Sequence, residues 1–392
     1  MLRPKIVITF TQKPTTTFPD RKQVLVMDFV TECVIVSSWR NLTDTARLSF
    51  PKKIYLRDKL GNTFDLDGKN IIAGNSVAPF LMRGDGVSIA ACYWYTDEQG
   101  KEQRPAPVEL FKGFVTKVSV KIPIEIECEN SMYLCKQVQA PNKLFRQKDY
   151  TLEKMVKELI DVVNSSKGSN LKLVEPPEGV TTSIGDFRCQ NETVAQVLDR
   201  LRKDYKVESW FRGDGLHSSA IVYFPNEGNT NVFVFQKNII SDQLQYTRID
   251  DVRLGFNAFS IQKEELHQNN SKGKRQTLHK RLQTFVGDKD GEIRTQFFFG
   301  AKTVDELKKL AEERLLKFRY EGFKGKFVTF GEPVTFHGDK VEIRDTVLPE
   351  RNGTYFVRGV ETTFGQNGYR QEIELDFKIS GVFTQSELNN GL

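Results

Sequence analysis

The sequence has few of the residues from which catalytic and metal centres are built. Its four histidines are His217, His267, His279 and His337, and none lies at a metal-ligand spacing such as His-Glu-x-x-His. The nucleophile elbow Gly-x-Ser-x-Gly and the phosphate-binding loop Gly-x-x-x-x-Gly-Lys-Ser/Thr are both missing. These absences predict no catalytic, cofactor-binding or metal-binding residues, no cofactor, and a protein that is not an enzyme.

Cysteine is scarce as well. The five cysteines are odd in number and include no Cys-x-x-Cys pair: Cys33, Cys92, Cys128, Cys135 and Cys189. At least two lie inside apolar, strand-like runs, which favours buried, reduced thiols over a disulfide or zinc framework. Reduced thiols are typical of a protein that folds in the cytoplasm.

Long apolar runs are missing too. Near the start, Ile6-Val7-Ile8 is followed closely by polar residues, so this run is too short for a secretory signal or a membrane span. The 57 basic and 51 acidic residues nearly balance, and the surplus of six is spread along the chain. We therefore predict a soluble protein without a membrane span, in which net charge concerns solubility more than the choice of partner.

The 392 residues are enough for two to three domains. Up to about residue 142, short apolar stretches such as 5–10, 87–95 and 122–128 alternate with turn residues, and no helical pattern occurs before residue 150. An all-β unit must pair or close its edges. We therefore predict a first β-barrel domain over residues 1–142.

The pattern then changes to a helical period. From Leu152 to Val163 apolar residues recur every three or four positions behind Thr151, a candidate N-cap, and a second helix is predicted behind Asn191. A hairpin with strands at 207–211 and 220–224 follows. Residues 143–235 are therefore predicted to form a small α+β domain of two helices plus a hairpin.

Strand patterns return from residue 236 and predict a second β-barrel domain over 236–392. A capping box at 303–306 opens an inserted helix predicted over 303–319, with a buried stripe of Val304, Leu307, Leu310, Ala311 and Leu315. The predicted fold class is thus mixed β with α+β. Two β-barrel-like domains flank the small α+β domain, and a helix is inserted in the second β unit.

One segment of the last unit, residues 264–288, is rich in lysine and arginine and has no acidic residue between Glu265 and Asp288. We predict a mobile basic loop, which trypsin should cut first within residues 268–281. It has no aromatic residue between Gln268 and Gln283 on which a base could stack, which favours a solvated or partner-facing loop over a nucleic-acid site.

Two further features admit both a functional and a structural interpretation. The Arg-Gly-Asp triplets that begin at Arg83 and Arg212 could serve adhesion, but each stands where a tight turn between strands is required. Trp39, Trp94 and Trp210 lie in or beside strand runs, which favours core or interface anchors over sugar platforms.

The strongest pointer to function is a set of motifs in a fixed order. They are Val34 to Trp39 with Ala46 to Phe50, Leu110 to Val115, Asn191 to Leu201 with Trp210 to Gly215, and Gly338 to Ile343 with Gly353 to Val357. Together with the order of units, over about residues 20 to 380, they resemble the baseplate hub and tail proteins of contractile-tailed, Mu-like phages and the late control protein D family. The N-terminal part of type VI secretion spike proteins is similar too.

The resemblance implies a structural baseplate hub subunit of a phage tail or a related contractile injection machine, without catalytic or cofactor residues. It implies a homotrimer whose two barrels per subunit form a ring that joins the tail tube to the central spike, while DNA passes through without specific binding. It also implies assembly in the host bacterial cytoplasm and a final place in the virion tail baseplate.

Two other classes of function stay open at the level of the sequence. A carbohydrate-binding or glycan-cleaving tail protein would place two carboxylates across a cleft at about 5–10 Å. A nucleic-acid-binding β protein would show a steep salt dependence of binding.

Overall fold

The computed structural model describes residues 2–51, 54–57, 63–66, 71–73, 76–78, 81–119, 123–174, 186–205, 207–219, 230–266, 276–298, 301 and 303–379. These residues form 28 strands, four α-helices and two short 3-10 helices.

The first third contains β1 (Leu2–Thr11), β2 (Val24–Met27), β3 (Glu32–Ser38), β4 (Thr45–Phe50), β5 (Ile54–Arg57), β6 (Thr63–Leu66), β7 (Ile71–Ala73), β8 (Ser76–Ala78), β9 (Gly86–Thr96), β10 (Glu102–Gln103), β11 (Val108–Ser119) and β12 (Ile124–Glu129). The middle contains α1 (Met132–Cys135), β13 (Leu144–Phe145), α2 (Leu152–Lys167), β14 (Lys172–Val174), β15 (Phe187–Arg188), α3 (Val194–Tyr205), β16 (Glu208–Arg212) and β17 (Gly215–Ser219). The last part contains β18 (Thr230–Val234), β19 (Ile239–Asp242), β20 (Gln245–Thr247), a 3-10 helix (Ile249–Asp251), β21 (Leu254–Leu266), β22 (Gln276–Gly287), β23 (Glu292–Phe297), α4 (Val304–Leu316), β24 (Gly322–Lys324), β25 (Lys326–Phe330), β26 (Lys340–Arg344), a second 3-10 helix (Pro349–Arg351), β27 (Gly353–Gly365) and β28 (Gly368–Lys378).

The first β unit is a sheet that curls around one core. Its strands are hydrogen-bonded in the order β3-β4-β12-β11-β9-β1-β2. Residues from both ends of this order, such as Leu25 on β2 and Ile35 on β3, are buried in the same core. Side chains alternate between inside and outside, as on β12, where buried Ile126 lies between exposed Glu125 and Glu127.

The middle unit contains the two predicted helices around a core of its own. α2 begins behind Thr151 as predicted, because the Thr151 hydroxyl accepts a hydrogen bond from the backbone N–H of Lys154 at 3.3 Å. The predicted cap of α3 is wrong. Thr193 and Gln196 form a reciprocal capping box there, whereas Asn191 has a φ of 53° and lies outside the helix.

Two further details of the middle unit differ from the prediction. The second hairpin strand begins at Gly215, directly after a two-residue turn, whereas the predicted strand 220–224 lies outside the described residues. The helix α1 occurs before residue 150, and all four of its residues are buried in the middle core. One helical turn is too short to show a helical period in the sequence.

Replacing Leu198 with alanine is expected to lower the free energy of unfolding by about 2–5 kcal/mol. Leu198 is fully buried on α3 in the middle core, so the change removes apolar burial and leaves a cavity. Urea denaturation of the variant and the wild type measures the effect. An unchanged midpoint would mean that this face of α3 does not carry the core.

The second β unit encloses two separate cores. β18, β19 and β25 to β28 surround one of them, and the insertion of β21, β22, β23 and α4 surrounds the other. The inserted helix begins behind Thr303 as predicted, but it ends at Leu316. Leu307, Ala311 and Leu315 are buried, whereas Val304 is exposed, contrary to the prediction. Val304 is the first residue of α4, and its side chain points back beyond the start of the helix.

The basic segment 264–288 is a strand hairpin over its described part, so the predicted loop is wrong for residues 264–266 and 276–287. β21 and β22 pair continuously from Gly255 opposite Gly287 to Leu266 opposite Gln276. Residues 267–275 lie outside the described residues. The basic composition was misleading because alternate positions of a strand tolerate lysine and arginine, while Leu282 and Val286 on β22 are buried. Preferential tryptic cleavage at 276–281 therefore no longer follows.

The two β units repeat one strand order. Six strands of the first unit are ordered β3-β4-β12-β11-β9-β1, and six of the second are ordered β19-β25-β28-β27-β26-β18. When the six strands of each unit are numbered along the chain, both sheets have the order second, third, sixth, fifth, fourth, first. One direction differs, because β18 runs parallel to β26 whereas β1 runs antiparallel to β9. The corresponding strands β11 and β27 both contain register shifts.

The two units also share one sheet. β27 pairs with β3 from Gly359 opposite Ser38 to Gly365 opposite Glu32. Because β3 has β4 on its other edge, it has no free edge for β2, and the first unit stays open. No ladder among the described residues closes either unit into a complete barrel. The predicted mixed β and α+β class is confirmed, and the barrel-like units are two arcs of a 16-stranded sheet.

Candidate functional site: the junction of the three units

An aromatic cluster lies where the three units meet. Trp39 follows β3 of the first β unit, Trp210 lies on β16 of the middle unit, and Phe356 on β27 of the second β unit packs against this pair. Each tryptophan is only 3% exposed. Buried aromatic rings contribute large areas of apolar contact, so the cluster holds the units in one relative orientation. The predicted role of Trp39 and Trp210 as core or interface anchors is confirmed.

Arg212 connects the middle unit to the second β unit. Its guanidinium donates hydrogen bonds to the backbone carbonyl of His337 and to the carboxylate of Asp339, both at 2.9 Å. Arg212 opens the second Arg-Gly-Asp triplet, and Gly213 has a φ of 58°, which a tight turn between β16 and β17 requires. The turn interpretation of this triplet is confirmed.

The first Arg-Gly-Asp triplet is not available to a receptor. Asp85 is fully buried, and its carboxylate accepts hydrogen bonds from the Arg21 guanidinium at 2.5 and 3.0 Å. The backbone N–H groups of Lys13 and Met82 donate to the same carboxylate at 2.9 and 2.8 Å. This turn therefore joins the loop between β1 and β2 to the start of β9.

Two histidines lie at the junction: His337 is buried and His217 is half-buried. The imidazole of His217 on β17 stacks on the Trp210 ring, with 5.1 Å between ring centroids and an angle of 4°. Neither ring nitrogen of His337 has a hydrogen-bond partner among the described residues. Burial, reinforced by the positive charge of Arg212, lowers the pKa of His217 to about 4 and the pKa of His337 to about 3. Both rings are therefore neutral at pH 7.

Acid is expected to destabilise the protein through these histidines. Below about pH 6.5 the unfolded chain binds protons that the folded His337 does not, so the free energy of unfolding falls as the pH drops from 6.5 towards 3. For His337 the expected loss is about 2 kcal/mol between pH 6.5 and about pH 5. Asp44 acts in the opposite direction, because burial raises its pKa to about 7 and its protonation on acidification favours the folded state.

Comparison of wild type with His337→Phe isolates the histidine from Asp44, which both proteins retain. Urea denaturation at the two pH values should show a smaller acid-induced loss for the variant, by about the amount given above. Equal losses in the two proteins would contradict the assignment.

Arg40 brings all three units together in a second way. It follows Trp39 and its guanidinium lies over the Trp39 ring, 4.9 Å from the centroid. Its side chain donates to Asp376 on β28 at 3.3 Å, and its backbone carbonyl accepts a hydrogen bond from Arg202 of α3 at 2.6 Å. Burial raises the pKa of Asp376, while Arg40 and other nearby cations oppose the shift. One arginine thus contacts elements of both other units.

A tyrosine pair joins the two β units at another place. The Tyr93 hydroxyl on β9 donates to the backbone carbonyl of Tyr369 on β28, and the ring centroids lie 5.3 Å apart. The backbone N–H of Tyr93 donates to Glu332 at 2.9 Å. A Cβ at Gly331 would lie 2.2 Å from the Tyr369 ring, so only glycine fits. With the shared β3–β27 ladder, these contacts fix the two β units relative to each other.

The described residues offer little for catalysis. They contain no group of three or more His, Cys, Asp or Glu side chains that could hold a metal ion. The five cysteines are free and buried, as the sequence predicts, and burial raises the pKa of Cys33 and Cys135 to about 12. Such thiols are poor nucleophiles at neutral pH. The absence of catalytic, cofactor-binding and metal-binding residues over the whole chain stays a prediction.

Among the α-helices of the described part of the chain, none combines the length and the apolar character that crossing a membrane requires.

Comparison with solved structures shows that this arrangement of units is a fold of phage tail proteins. A tail protein from Neisseria meningitidis MC58 superposes with a TM-score of 0.58 at 12% identity, over 97% of this chain and 99% of that one. The 43 kDa tail protein of prophage MuSo2 from Shewanella oneidensis gives a TM-score of 0.55 at 12% identity, over 95% and 97%.

A chain of the Francisella PdpA-VgrG complex has the same fold within a longer protein. It gives a TM-score of 0.52 at 8% identity, over 97% of this chain and 59% of that one. Neither the models of protein families nor the curated proteins gave a match to this sequence. The resemblance predicted from the sequence is confirmed at the level of the fold.

Proposed function

We propose that this protein is a structural subunit of the tail baseplate of a phage, or of a related contractile injection machine. In this proposal it is the hub whose copies form a ring between the tail tube and the central spike. The observation that carries the proposal is the repeated strand order of two β units that are joined rigidly within one chain. The tail-protein fold supports it.

The repeat offers a physical route from fold to function. Each chain contains two similar β units. A ring of three copies would therefore place six similar units around one axis. A head-to-tail contact between unlike surfaces must either close into a ring or grow into a filament, and closure at three would match a sixfold tube on one side and a threefold spike on the other. The shared sheet and the aromatic junction set the angle between the two units, and that angle decides whether the ring closes.

In this proposal the partners are two further copies of the chain, the tail tube protein and the central spike protein, and DNA passes through the ring without specific binding. Assembly takes place in the host bacterial cytoplasm, and the finished ring lies in the virion tail baseplate. This role needs no reactive group, and we propose that the protein is not an enzyme.

The described tryptophans do not support the alternative of a carbohydrate-binding or glycan-cleaving tail protein. Trp39 and Trp210 are buried. The Trp94 ring is occupied by cations, with Lys5 Nζ and the Arg104 guanidinium 4.7 and 4.8 Å from its centroid. The nucleic-acid alternative rested on a basic loop, and much of that segment is a paired strand.

The mass of the purified protein in solution, together with low-resolution images, tests the proposal. Light scattering should give three times the chain mass of 45.0 kDa, and images should show a ring with a central hole. A monomer at high protein concentration, without ring particles, would overturn the proposed function.

A further inference from the structure

The inserted sheet of β21, β22 and β23 has one face that no described helix covers. Its other face is buried against α4 through Phe256, Leu282 and Val286. The residues that alternate with these point away from α4. On that side Ile293 and Phe297 of β23 are 49% and 51% exposed. The two residues lie on one face of the same strand, with the exposed Thr295 between them, and apolar residues grouped on one face are a feature of interaction surfaces.

A cation lies beside these apolar residues. The Arg281 guanidinium is 4.2 Å from the centroid of the Phe259 ring, and the Phe259 and Phe297 rings are 5.7 Å apart. Arg281 is exposed and has no acidic partner within 4.0 Å among the described residues. Phe259 itself is buried. We call Arg281, Ile293 and Phe297 the hairpin face. A complementary surface would combine an apolar centre with carboxylates.

The outer face of the shared sheet carries carboxylates beside an apolar strip, together with the cations Arg47 and Lys326. Glu361 on β27 lies directly opposite Glu372 on β28, and like charges in this position repel each other. Lys326 interacts with both of them. Its Nζ lies 2.8 Å from Glu372, and this hydrogen bond, together with the charges of Glu372 and Glu361, raises the pKa of Lys326. On the other side of Glu361, its register partner is Val36 of β3, which is half-buried.

The apolar strip continues along β3. Val34 is also half-buried and on the same side as Val36. Glu32, two residues before Val34, is exposed and pairs with Arg47 of β4 at 3.7 Å. We call Glu32, Val34, Val36, Glu361 and Glu372 the acidic face. Its two opposed glutamates share Lys326, so a further cation supplied from outside would stabilise them.

We propose that the hairpin face of one copy of this chain docks on the acidic face of a second copy. Ile293 and Phe297 would cover Val34 and Val36, and Arg281 would pair with Glu361 and Glu372. The partner that docks on the acidic face is a second copy of this chain, because the same chain carries both the hairpin face and the acidic face, and the two are complementary in charge and in apolar character. The inference rests on the proposed ring and names the surfaces that close it. The two surfaces differ, so the contact is head-to-tail.

Charge reversal on each face tests the pairing. Arg281→Glu and Glu361→Lys should each weaken self-association about tenfold or more, because each places like charges across the contact. The double variant Arg281→Glu with Glu361→Lys should recover most of the wild-type association. Phe297→Ser should weaken association as well. Sedimentation over a range of protein concentrations measures all of these.

Folding and assembly are separated by Glu361→Lys. This change removes the repulsion with Glu372 inside the subunit but places a second lysine near Lys326, so the thermal stability of the monomer should change little while association is lost. Lys101→Glu, at the exposed turn between β9 and β10, is the matched control and should associate like wild type. If the wild type forms rings and the single reversals do so equally well, the pairing is refuted and the proposed function stands. If the wild type stays monomeric, the proposed function itself fails.

Discussion

Replacement of Asp85 with alanine is expected to lower the free energy of unfolding by about 3–5 kcal/mol. The Asp85 carboxylate is fully buried and accepts four hydrogen bonds, two of them from the equally buried Arg21. Removal of one partner leaves the Arg21 guanidinium buried without its counter-charge, and two backbone N–H groups lose their acceptor. Urea denaturation followed by circular dichroism measures the loss.

The second Arg-Gly-Asp triplet supplies a matched control for this change. Asp214 occupies the same place in its triplet, but its side chain is 47% exposed and pairs with the similarly exposed Lys112. Asp214→Ala should therefore cost no more than about 1 kcal/mol. Similar losses in the two alanine variants would show that the buried ion pair is not what stabilises the first turn. The contrast separates burial from local sequence, since both aspartates follow Arg-Gly.

Much of the fold could be predicted from the sequence because the patterns are local. The helix behind Thr151 and the inserted helix behind Thr303 combine a capping residue with an apolar stripe, and both caps form as predicted. The period-two strands of the first unit appear where the alternation places them. The hairpin of β21 and β22 can be predicted only in part, because the lysines and arginines of β22 resemble those of a loop. These residues form a strand because they pair with β21, and a local sequence pattern does not show that pairing.

The junction could not be predicted as a site, because its members are far apart in the sequence. Trp39, Trp210 and Phe356 come from three units, and only the folded chain brings them together. The β3–β27 ladder likewise joins residues more than 300 positions apart. The only sequence signal was the presence of tryptophan beside strands, which indicates an anchor without naming what it contacts. The identity of Asp85 as a buried acceptor gave no signal at all, because Arg-Gly-Asp is equally compatible with an exposed turn.

A rigid connection between the β units has a consequence for assembly. The shared ladder, the tyrosine pair and the aromatic junction act at separate places, and the angle between the units is set by all three together. In a ring of three copies an angular error within each subunit adds up around the axis. A subunit with a loosened junction should therefore fold and still close rings poorly.

Replacement of Trp210 with alanine is expected to lower the free energy of unfolding by about 3–5 kcal/mol and to reduce ring formation beyond that loss. The Trp210 ring is buried between units, packs with Trp39 and Phe356, and supports the stacked His217, so its removal opens a cavity at the point where the units meet. Trp210→Phe retains an aromatic ring and should restore part of both properties.

Trp94→Ala is the control, because Trp94 is half-buried within the first unit. This change should lower the free energy of unfolding by less than about 2 kcal/mol and leave assembly unaffected. Urea denaturation gives the stability, and light scattering at a temperature where every variant is folded gives the assembly. If folded Trp210→Ala assembles like wild type, the junction stabilises the subunit without setting the geometry of the ring.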